Sequence, residues 1–310
     1  MEGGGAESRE SRVEGAEDTG QRPRVGGARR PRSCQGEGIF VEHIVQDAGT
    51  PGIEEFAREV GAEFYREGSL DGGWRMEEIG GYSLRIYSEK DEGMYDAINR
   101  GLGKASGEIC SYLNCDEQYL PETLSWVADY FSANPQTDVL FGAAIVVRPE
   151  GSYVCDRRVM VPTPLHTMVS GNLSVFTSST FFRRSAVVEC GLLFDPRWKV
   201  VGDAAWVLKL LDAKVRMAAT NHRLSAFAET GGNLSADPKA AGEQCALADK
   251  APAWACAARP LVVALYRIRR LLAGAYSLQP HRYAIYTAES PEARKEFVVS
   301  RPGFRWAGPQ

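Results

Sequence analysis

Hydrophobic positions between residues 93 and 113 change from helical spacing to a continuous apolar run, which predicts a helix followed by a buried strand. Small or apolar side chains recur at intervals of three and four residues, at Met94, Ala97, Ile98, Gly101, Leu102 and Ala105. This spacing predicts an amphipathic helix over residues 93–104. Residues 109–113 are then apolar and end at a polar group, residues 114–117, which predicts a buried strand that stops at acids.

Comparable patterns predict strands and helices along most of the chain. Strands are predicted at residues 40–47, 82–87 and 138–151, and helices at residues 52–60, 122–131 and 204–211. A strand with a short helix is predicted within residues 176–195. Residues 152–173 have weak periodicity and several prolines, which favours a loop.

Acidic side chains follow two of these predicted elements. Asp91 precedes the helix at residues 93–104, and Asn114, Asp116 and Glu117 follow the strand at residues 109–113. In open α/β sheets, ligands bind beyond the carboxyl ends of the strands. Carboxylate oxygens there suit Mg²⁺ or Mn²⁺ that carries a diphosphate. We expect Asp116 to be the metal ligand, and a solvated strand end is the alternative.

Four segments resemble, in the right order, the family 2 glycosyltransferases of the WcaA-like group, which transfer a sugar from a nucleotide-diphosphate donor. They are EHIVQDAGTPG at residues 42–52, NCDE at 114–117, FDPRWKVVGDAAWVLKLL at 194–211 and ETGGNLS at 229–235. The resemblance implies the α/β GT-A fold of nucleotide-diphospho-sugar transferases, with a mostly parallel sheet between helices. It places that domain at residues 37–236 and leaves residues 237–310 as a C-terminal helical extension.

The resemblance also implies roles for individual residues at the donor side. Asp47 would recognise the base of the donor, although an Asp that forms its own turn is the alternative. Asp91, Asn114 and Asp116 would contact the donor. Asp116 and Glu117 would bind Mg²⁺ or Mn²⁺, with Asn114 in the place of the first Asp of the usual metal motif.

Asp203 would be the base that removes a proton from the acceptor hydroxyl, which implies inversion at the anomeric carbon. A positioned base contributes about 10² to 10⁴ in rate. The alternative role is an Asp that caps a helix. Family members often carry a second acid beside this position, whereas here the neighbour is Gly202.

The first 36 residues differ from the rest of the chain, because they are rich in Gly, Arg, Glu and Ser and almost lack large apolar side chains. This composition predicts disorder. The first strand of the family and its base-contacting turn are not recognisable, so the domain is expected to be incomplete at its N-terminal side, through a wrongly assigned start or a truncation. Such a loss would expose neighbouring strands.

Composition limits the classes of function and location. The net charge is −4, which argues against a nucleic-acid partner. The seven cysteines are scattered without a CxxC pair, which favours reduced thiols in the cytoplasm. No apolar run reaches the ~18 residues of a membrane span, and no signal peptide is evident. We therefore expect the protein in the cytoplasm or at the inner face of the membrane.

The segment PLVVALYRIRRLLAGAY, residues 260–276, predicts an amphipathic helix with interleaved arginines. Leu261, Leu265, Ile268 and Leu272 lie on one face. The helix either packs on the catalytic domain or makes peripheral contact with a membrane that carries a lipid-linked acceptor.

Three functions remain as expectations. The first is a metal-dependent transferase that uses a nucleotide-diphosphate sugar and a glycan or lipid-linked acceptor in polysaccharide or cell-surface glycan synthesis. The second is a non-catalytic relative that binds a partner or glycan. The third, a nucleotidyltransferase, is disfavoured because no Gly-rich basic phosphate loop is evident near the N-terminus.

Overall fold

The fold is known from a computed structural model, which describes residues 39–66, 81–171, 173–230 and 239–305. The segment predicted to be disordered, residues 1–36, lies outside the described residues. So do residues 231–235 of the ETGGNLS segment.

A three-stranded parallel sheet forms the N-terminal part of the described chain. Its strands are β1 (Val41–Asp47), β2 (Glu63–Arg66) and β3 (Tyr82–Ser88), in the order β1-β3-β2. Helices α1 (Ile53–Val60) and α2 (Met94–Lys104) follow β1 and β3. Asp47 pairs in register with Ser88, so the carboxyl ends of β1 and β3 share one rim.

A second, six-stranded sheet contains β4 (Ile109–Cys110), β5 (Glu117–Tyr119), β6 (Val139–Val147), β7 (Tyr153–Arg157), β8 (Thr180–Arg183) and β9 (Met217–Ala228). Its central strand β6 is buried along its whole length. Among the described strands of this sheet, β6 and β9 pair in parallel and the other pairs are antiparallel. The mostly parallel sheet that was expected is therefore limited to the first sheet. The short connection between β6 and β7 permits only antiparallel pairing.

Helices α3 (Thr123–Ala133), α5 (Arg184–Val187) and α6 (Gly202–Asp212) pack on this sheet, and α4 (Pro164–Ser170) contacts α6. The prediction of a loop over residues 152–173 is wrong, because β7 and α4 lie within it. Pro164 is the first residue of α4, a position where the missing N–H of proline costs nothing.

The C-terminal segment contains α7 (Lys239–Ala248), α8 (Ala253–Ala257), α9 (Arg259–Leu272), β10 (His281–Thr287) and β11 (Ser290–Val299). It is therefore not a purely helical extension. The β10–β11 hairpin buries Tyr283, Ile285 and Val299 against Leu120 and Ile145 of the six-stranded sheet region. None of the helices within the described ranges is long and apolar enough to cross a bilayer.

Candidate functional site

Asp47 and Asp91 lie at the rim formed by the carboxyl ends of β1 and β3. The carboxylate of Asp47 is buried and accepts hydrogen bonds from the N–H groups of Gly49 at 2.8 Å and Thr50 at 3.0 Å, and from the Ser88 hydroxyl at 3.0 Å. Asp91 accepts a hydrogen bond from Gly93 N at 2.9 Å, just ahead of α2. Asp47 thus forms its own turn, as the alternative interpretation expected, and its contact with the donor base stays a prediction.

Helix α2 is joined to the segment that leads into α6. The side-chain amide of Asn99 donates to Phe194 O at 2.9 Å and accepts from Phe194 N at 3.0 Å. The Lys199 ammonium donates to Glu92 O at 2.8 Å. The Tyr95 hydroxyl donates to Val200 O at 3.0 Å. These bonds hold the N-terminal half of α2, and Asp91 with it, next to residues 194–203.

Asp203 is the second residue of α6, whose N-cap is Val201. It is therefore not the helix cap that the alternative interpretation required. Its backbone N–H donates to the Tyr95 hydroxyl at 3.1 Å, and its carboxylate accepts from Ala204 N at 2.7 Å. Burial raises the pKa of Asp203 to about 6, against the opposing effect of these backbone N–H groups.

Glu243 of α7 fixes the chain immediately before Asp203. Its carboxylate accepts hydrogen bonds from three consecutive backbone N–H groups, those of Lys199 at 2.7 Å, Val200 at 2.8 Å and Val201 at 3.0 Å. Burial opposes ionisation of Glu243, but the three N–H donors outweigh it and lower its pKa. The α6 N-terminus is thereby held by a carboxylate from a helix that lies more than thirty residues further along the chain.

The acidic turn 114–117 connects β4 to β5. Glu117 accepts a hydrogen bond from Asn114 N at 2.8 Å and donates its own N–H to Asn114 O at 3.1 Å, which closes the turn. Burial and the charge of Asp116 raise the pKa of Glu117 to about 7, while hydrogen bonds from Asn114 and Ser178 oppose this. Ser178 belongs to a buried hydroxyl chain with Ser225. The role of Glu117 as a metal ligand stays a prediction, and its contacts are those of a residue that holds the turn.

Asp116 lies in the same turn with a half-buried carboxylate, and burial raises its pKa. No group of three or more His, Cys, Asp or Glu side chains in the described residues could by itself hold a metal ion. A single carboxylate still fits Mg²⁺ or Mn²⁺ when substrate phosphates and waters complete the shell, since Mg²⁺ is often bound in this way. The residues present therefore fit a metal that arrives with a diphosphate, with Asp116 as its protein ligand.

Tyr112 links the acidic turn with the start of α6. It is partly exposed and packs against the core, and its pKa is raised first by desolvation and then by the charges of Asp203 and, more weakly, Glu117. The charges of both carboxylates therefore act on the same hydroxyl. Helix α2, which follows Asp91, thus contacts Asp203 through Tyr95, and the charges of Asp203 and Glu117 both act on Tyr112.

Several residues of this arrangement were not predicted from the sequence. Tyr95, Asn99, Tyr112, Ser178 and Glu243 all position the candidate residues, yet each looks like an ordinary core or helix residue in its local pattern. Only Asn99 and Tyr95 carried a signal, because they lie in the helix that follows Asp91.

Gly202 is explained by its surroundings. A Cβ atom at this position would lie 2.4 Å from a ring carbon of Tyr95, which real contacts essentially never show. The Tyr95 ring therefore occupies the space that a side chain at position 202 would need. This accounts for the absence of a second acid beside Asp203.

Comparison with known proteins gives a family match in the central part of the chain. Residues 81–190 match the model of the family "Glycosyl transferase family 2". This region contains α2, the acidic turn and the central strand β6. Placement in the WcaA-like group stays a prediction.

Two similar proteins are named "PGL/p-HBAD biosynthesis glycosyltransferase", one from Mycobacterium bovis and one from Mycobacterium tuberculosis. Each is 27% identical to this chain over 128 residues, which are 40% of this chain and 45% of the relative. The chain thus matches less than half the length of these relatives.

Among solved structures, S. aureus TarS 1–349 in complex with UDP is 15% identical, with a TM-score of 0.45, and covers 77% of this chain and 65% of that one. The same protein in complex with UDP-GlcNAc is 14% identical, with a TM-score of 0.46, over 77% and 66% of the two chains. The α/β class expected for a GT-A fold is confirmed by the family match and by the mixed sheets described above. Together, the family match and the relatives show that residues 81–190 are similar to glycosyl transferase family 2 and that part of the chain is similar to named glycosyltransferases.

Proposed function

We propose that the protein transfers a sugar from a nucleotide-diphosphate sugar to an acceptor hydroxyl, with inversion at the anomeric carbon. The observation that carries this proposal is the position of Asp203, a partly buried carboxylate at the start of α6 whose charge acts on Tyr112 together with that of Glu117 in the acidic turn 114–117. A base on one side and a diphosphate site on the other are what a direct displacement requires.

Asp203 is the proposed base. Its pKa of about 6 leaves it mostly ionised at neutral pH, yet makes it a better proton acceptor than an exposed Asp. It would take the proton from the acceptor hydroxyl as the oxygen bonds to the anomeric carbon and the bond to the diphosphate breaks. Tyr95 and Glu243 position it by fixing the backbone around the start of α6.

Asp116 is the proposed metal ligand at the diphosphate. A divalent ion bound there would neutralise the charge that develops on the leaving group. Glu117 and Asn114 keep the turn closed, so that the Asp116 carboxylate is held at a fixed place. Asp91 lies just before the N-terminus of α2, and we propose that it contacts the donor from there. Asp47 stabilises the neighbouring turn.

The acceptor is proposed to be a hydroxyl of a glycan or lipid-linked glycan in polysaccharide or cell-surface glycan synthesis. This proposal is supported by the names of the mycobacterial relatives, which concern PGL/p-HBAD biosynthesis, and by the exposed face of α9 described below. Cytoplasmic location, at the inner face of a membrane, belongs to the same proposal.

Isothermal titration of UDP and of GDP tests the donor site, with and without Mn²⁺. We expect Mn²⁺-dependent binding that Asp116→Asn removes and that the same substitution at exposed Asp129 on α3 leaves unchanged. Equal binding by wild type and Asp116→Asn would contradict the role of Asp116. Transfer is tested by incubation with a nucleotide sugar, and NMR of the released or transferred sugar reports its anomeric configuration.

A non-catalytic binding protein is the alternative function. It is favoured by Asp47, whose carboxylate is engaged in its own turn, and by β1, which pairs only with β3 within the described residues. Nucleotide binding without hydrolysis or transfer of any donor sugar would support this alternative.

A further inference from the structure

Helix α9 presents its apolar stripe to solvent. Leu261, Leu265, Ile268 and Leu272 follow each other at intervals of four, three and four residues, and their exposed fractions lie between 51% and 82%. Helical spacing of this kind normally marks the face that packs on the core. Exposed apolar patches of this extent usually mark an interaction surface.

The opposite face of α9 is the one that packs on the protein. Tyr266 is buried, and its ring stacks on His166 of α4 with 3.6 Å between the ring centres. Arg270 donates to Arg158 O at 3.0 Å and lies over the ring of Tyr276. The orientation of the helix is therefore fixed by these contacts, and its stripe of Leu and Ile is left outside.

Exposed arginines border the stripe. At 100° per residue, Arg267 and Arg269 lie on opposite sides of the line from Leu261 to Leu272. Arg259 stands at the N-terminal end of the helix, and all three arginines are exposed. A shallow depression beside the stripe is lined by Pro260, Val263, Ala264 and Ile268 together with Arg259 and Arg267. No Asp or Glu occurs between Asp249 and Glu289, so no carboxylate from this segment neutralises the arginines.

The apolar stripe and its flanking arginines together indicate which kind of partner covers this face of α9. Two copies of the chain that met symmetrically through this stripe would bring their arginines together, and like charges that face each other oppose association. A bilayer with anionic headgroups instead offers an apolar layer for the stripe and phosphates for the arginines on both sides of it. Trp254 of α8, also exposed, adds an aromatic side chain of the type that is enriched at membrane interfaces.

We infer that α9 is a membrane-surface helix that lies in the plane of an anionic phospholipid layer, with its Leu and Ile stripe among the acyl chains. Its 14 residues span about 21 Å along the surface. The inference concerns a surface distant in sequence from the donor residues, and it stands whether or not the proposed transfer reaction is correct. It would bring the chain to a lipid-linked acceptor.

Co-sedimentation of the whole chain with vesicles tests the inference. We expect binding to vesicles that contain one-third phosphatidylglycerol and at least tenfold weaker binding to phosphatidylcholine alone. Because charge contributes, raising NaCl from about 0.1 M to about 1 M, which shortens the Debye length from ~10 Å to ~3 Å, should weaken the binding.

Variants separate the two contributions. The double change Leu265→Glu with Ile268→Glu should abolish binding, and Arg267→Gln with Arg269→Gln should reduce binding to anionic vesicles at least tenfold. Val298→Glu is the matched control, since Val298 of β11 is an equally exposed apolar side chain, at 66%, outside α9. Thermal unfolding and UDP binding of each variant verify that the fold and the donor site are intact.

Two outcomes would overturn the inference. One is wild-type protein that stays in the supernatant with anionic vesicles. The other is a wild-type dimer in sedimentation velocity that Leu265→Glu with Ile268→Glu converts to monomer, with no difference in vesicle binding; the stripe would then bind a second copy of the chain.

Discussion

At the level of single residues, the burial of Asp203 sets the pH range in which it can accept a proton. Its pKa is raised to about 6, so the carboxylate is ionised above that pH and protonated below it. We expect kcat/KM to rise with pH through an apparent pKa near 6 and to level off at neutral pH. Asp203→Asn should lower kcat by about 10² to 10⁴. The same change at exposed Asp212, at the other end of α6, should leave the profile unaltered.

The ionised carboxylate of Asp203 is also expected to lower the free energy of unfolding at neutral pH. An acid whose pKa is higher in the folded state than in the unfolded state binds its proton more tightly when folded, so stability falls as the pH rises from about 4 to about 6. Asp203→Asn removes this cost and is expected to raise the free energy of unfolding at pH 7 by up to about 3 kcal/mol. Urea unfolding at pH 7 measures this. A variant that is both inactive and less stable would contradict the proposed environment of Asp203.

A side chain at position 202 is expected to destabilise the fold. Gly202→Ala would place a Cβ atom 2.4 Å from the Tyr95 ring, and the ring would have to move, together with its hydrogen bonds to Val200 and Asp203. We expect destabilisation by about 1 to 3 kcal/mol, as is typical of overpacked cores. Gly101→Ala in α2 is the control. It has open space around it and should stabilise the helix by up to about 1 kcal/mol.

At the level of elements, Glu243 of α7 determines whether the start of α6 is ordered. Glu243→Gln keeps the shape of the side chain but removes the charge that accepts three backbone N–H groups, and hydrogen bonds to charged groups contribute about 1.5 to 3 kcal/mol. Because part of the side chain is accessible, we expect a loss of about 1 kcal/mol and a lower kcat through misplacement of Asp203. Glu59→Gln, on the exposed side of α1, is the control for urea unfolding and for activity.

The stabilisation that Glu243 provides is expected to be present at neutral pH and lost in acid. The pKa of Glu243 is lowered in the folded protein, so its contribution is complete above the unfolded pKa of about 4.5 and is lost as the pH falls through the folded value. The stability difference between wild type and Glu243→Gln should therefore disappear in acid. A difference that stays constant down to acidic pH would mean that the charge of Glu243 is not involved.

Elements with strong periodicity were predicted well from the sequence, and elements fixed by distant partners were not. Helix α2 was placed within one residue of its observed start, because its apolar positions recur over three turns. Strand β4 is limited to two residues, because beyond Cys110 the chain leaves β8 and turns toward β5. Asp203 was identified from the resemblance, but Tyr95, which contacts it, lies 108 residues away in sequence, and no local pattern reports such a contact.

At the scale of the whole molecule, the C-terminal hairpin is part of the core rather than an appendage. Tyr283 is buried between Tyr153 and Phe297 and donates a hydrogen bond to Gly151 O at 2.7 Å. Gln118, next to the acidic turn, exchanges two hydrogen bonds with the backbone of Tyr286 at 3.0 Å and 2.8 Å. The β10–β11 hairpin thus packs on the six-stranded sheet beside β5, the strand that begins at Glu117.

Loss of the hairpin packing is expected to destabilise the acidic turn 114–117 as well as the whole protein. Tyr283→Ala leaves a cavity under the hairpin and an unpaired carbonyl at Gly151, and we expect a loss of about 3 to 5 kcal/mol. Val298→Ala, at an exposed position of the same hairpin, should change stability by less than about 0.5 kcal/mol. Urea unfolding gives both values.

Hydrogen exchange of Tyr283→Ala tests the connection to the acidic turn. Loosening of the hairpin should increase exchange at the N–H groups of β5 and of the turn 114–117. The N–H groups of β1 and β3, in the other sheet, should keep their protection. Uniform loss of protection in both sheets would mean that the hairpin stabilises the molecule without any particular connection to the acidic turn.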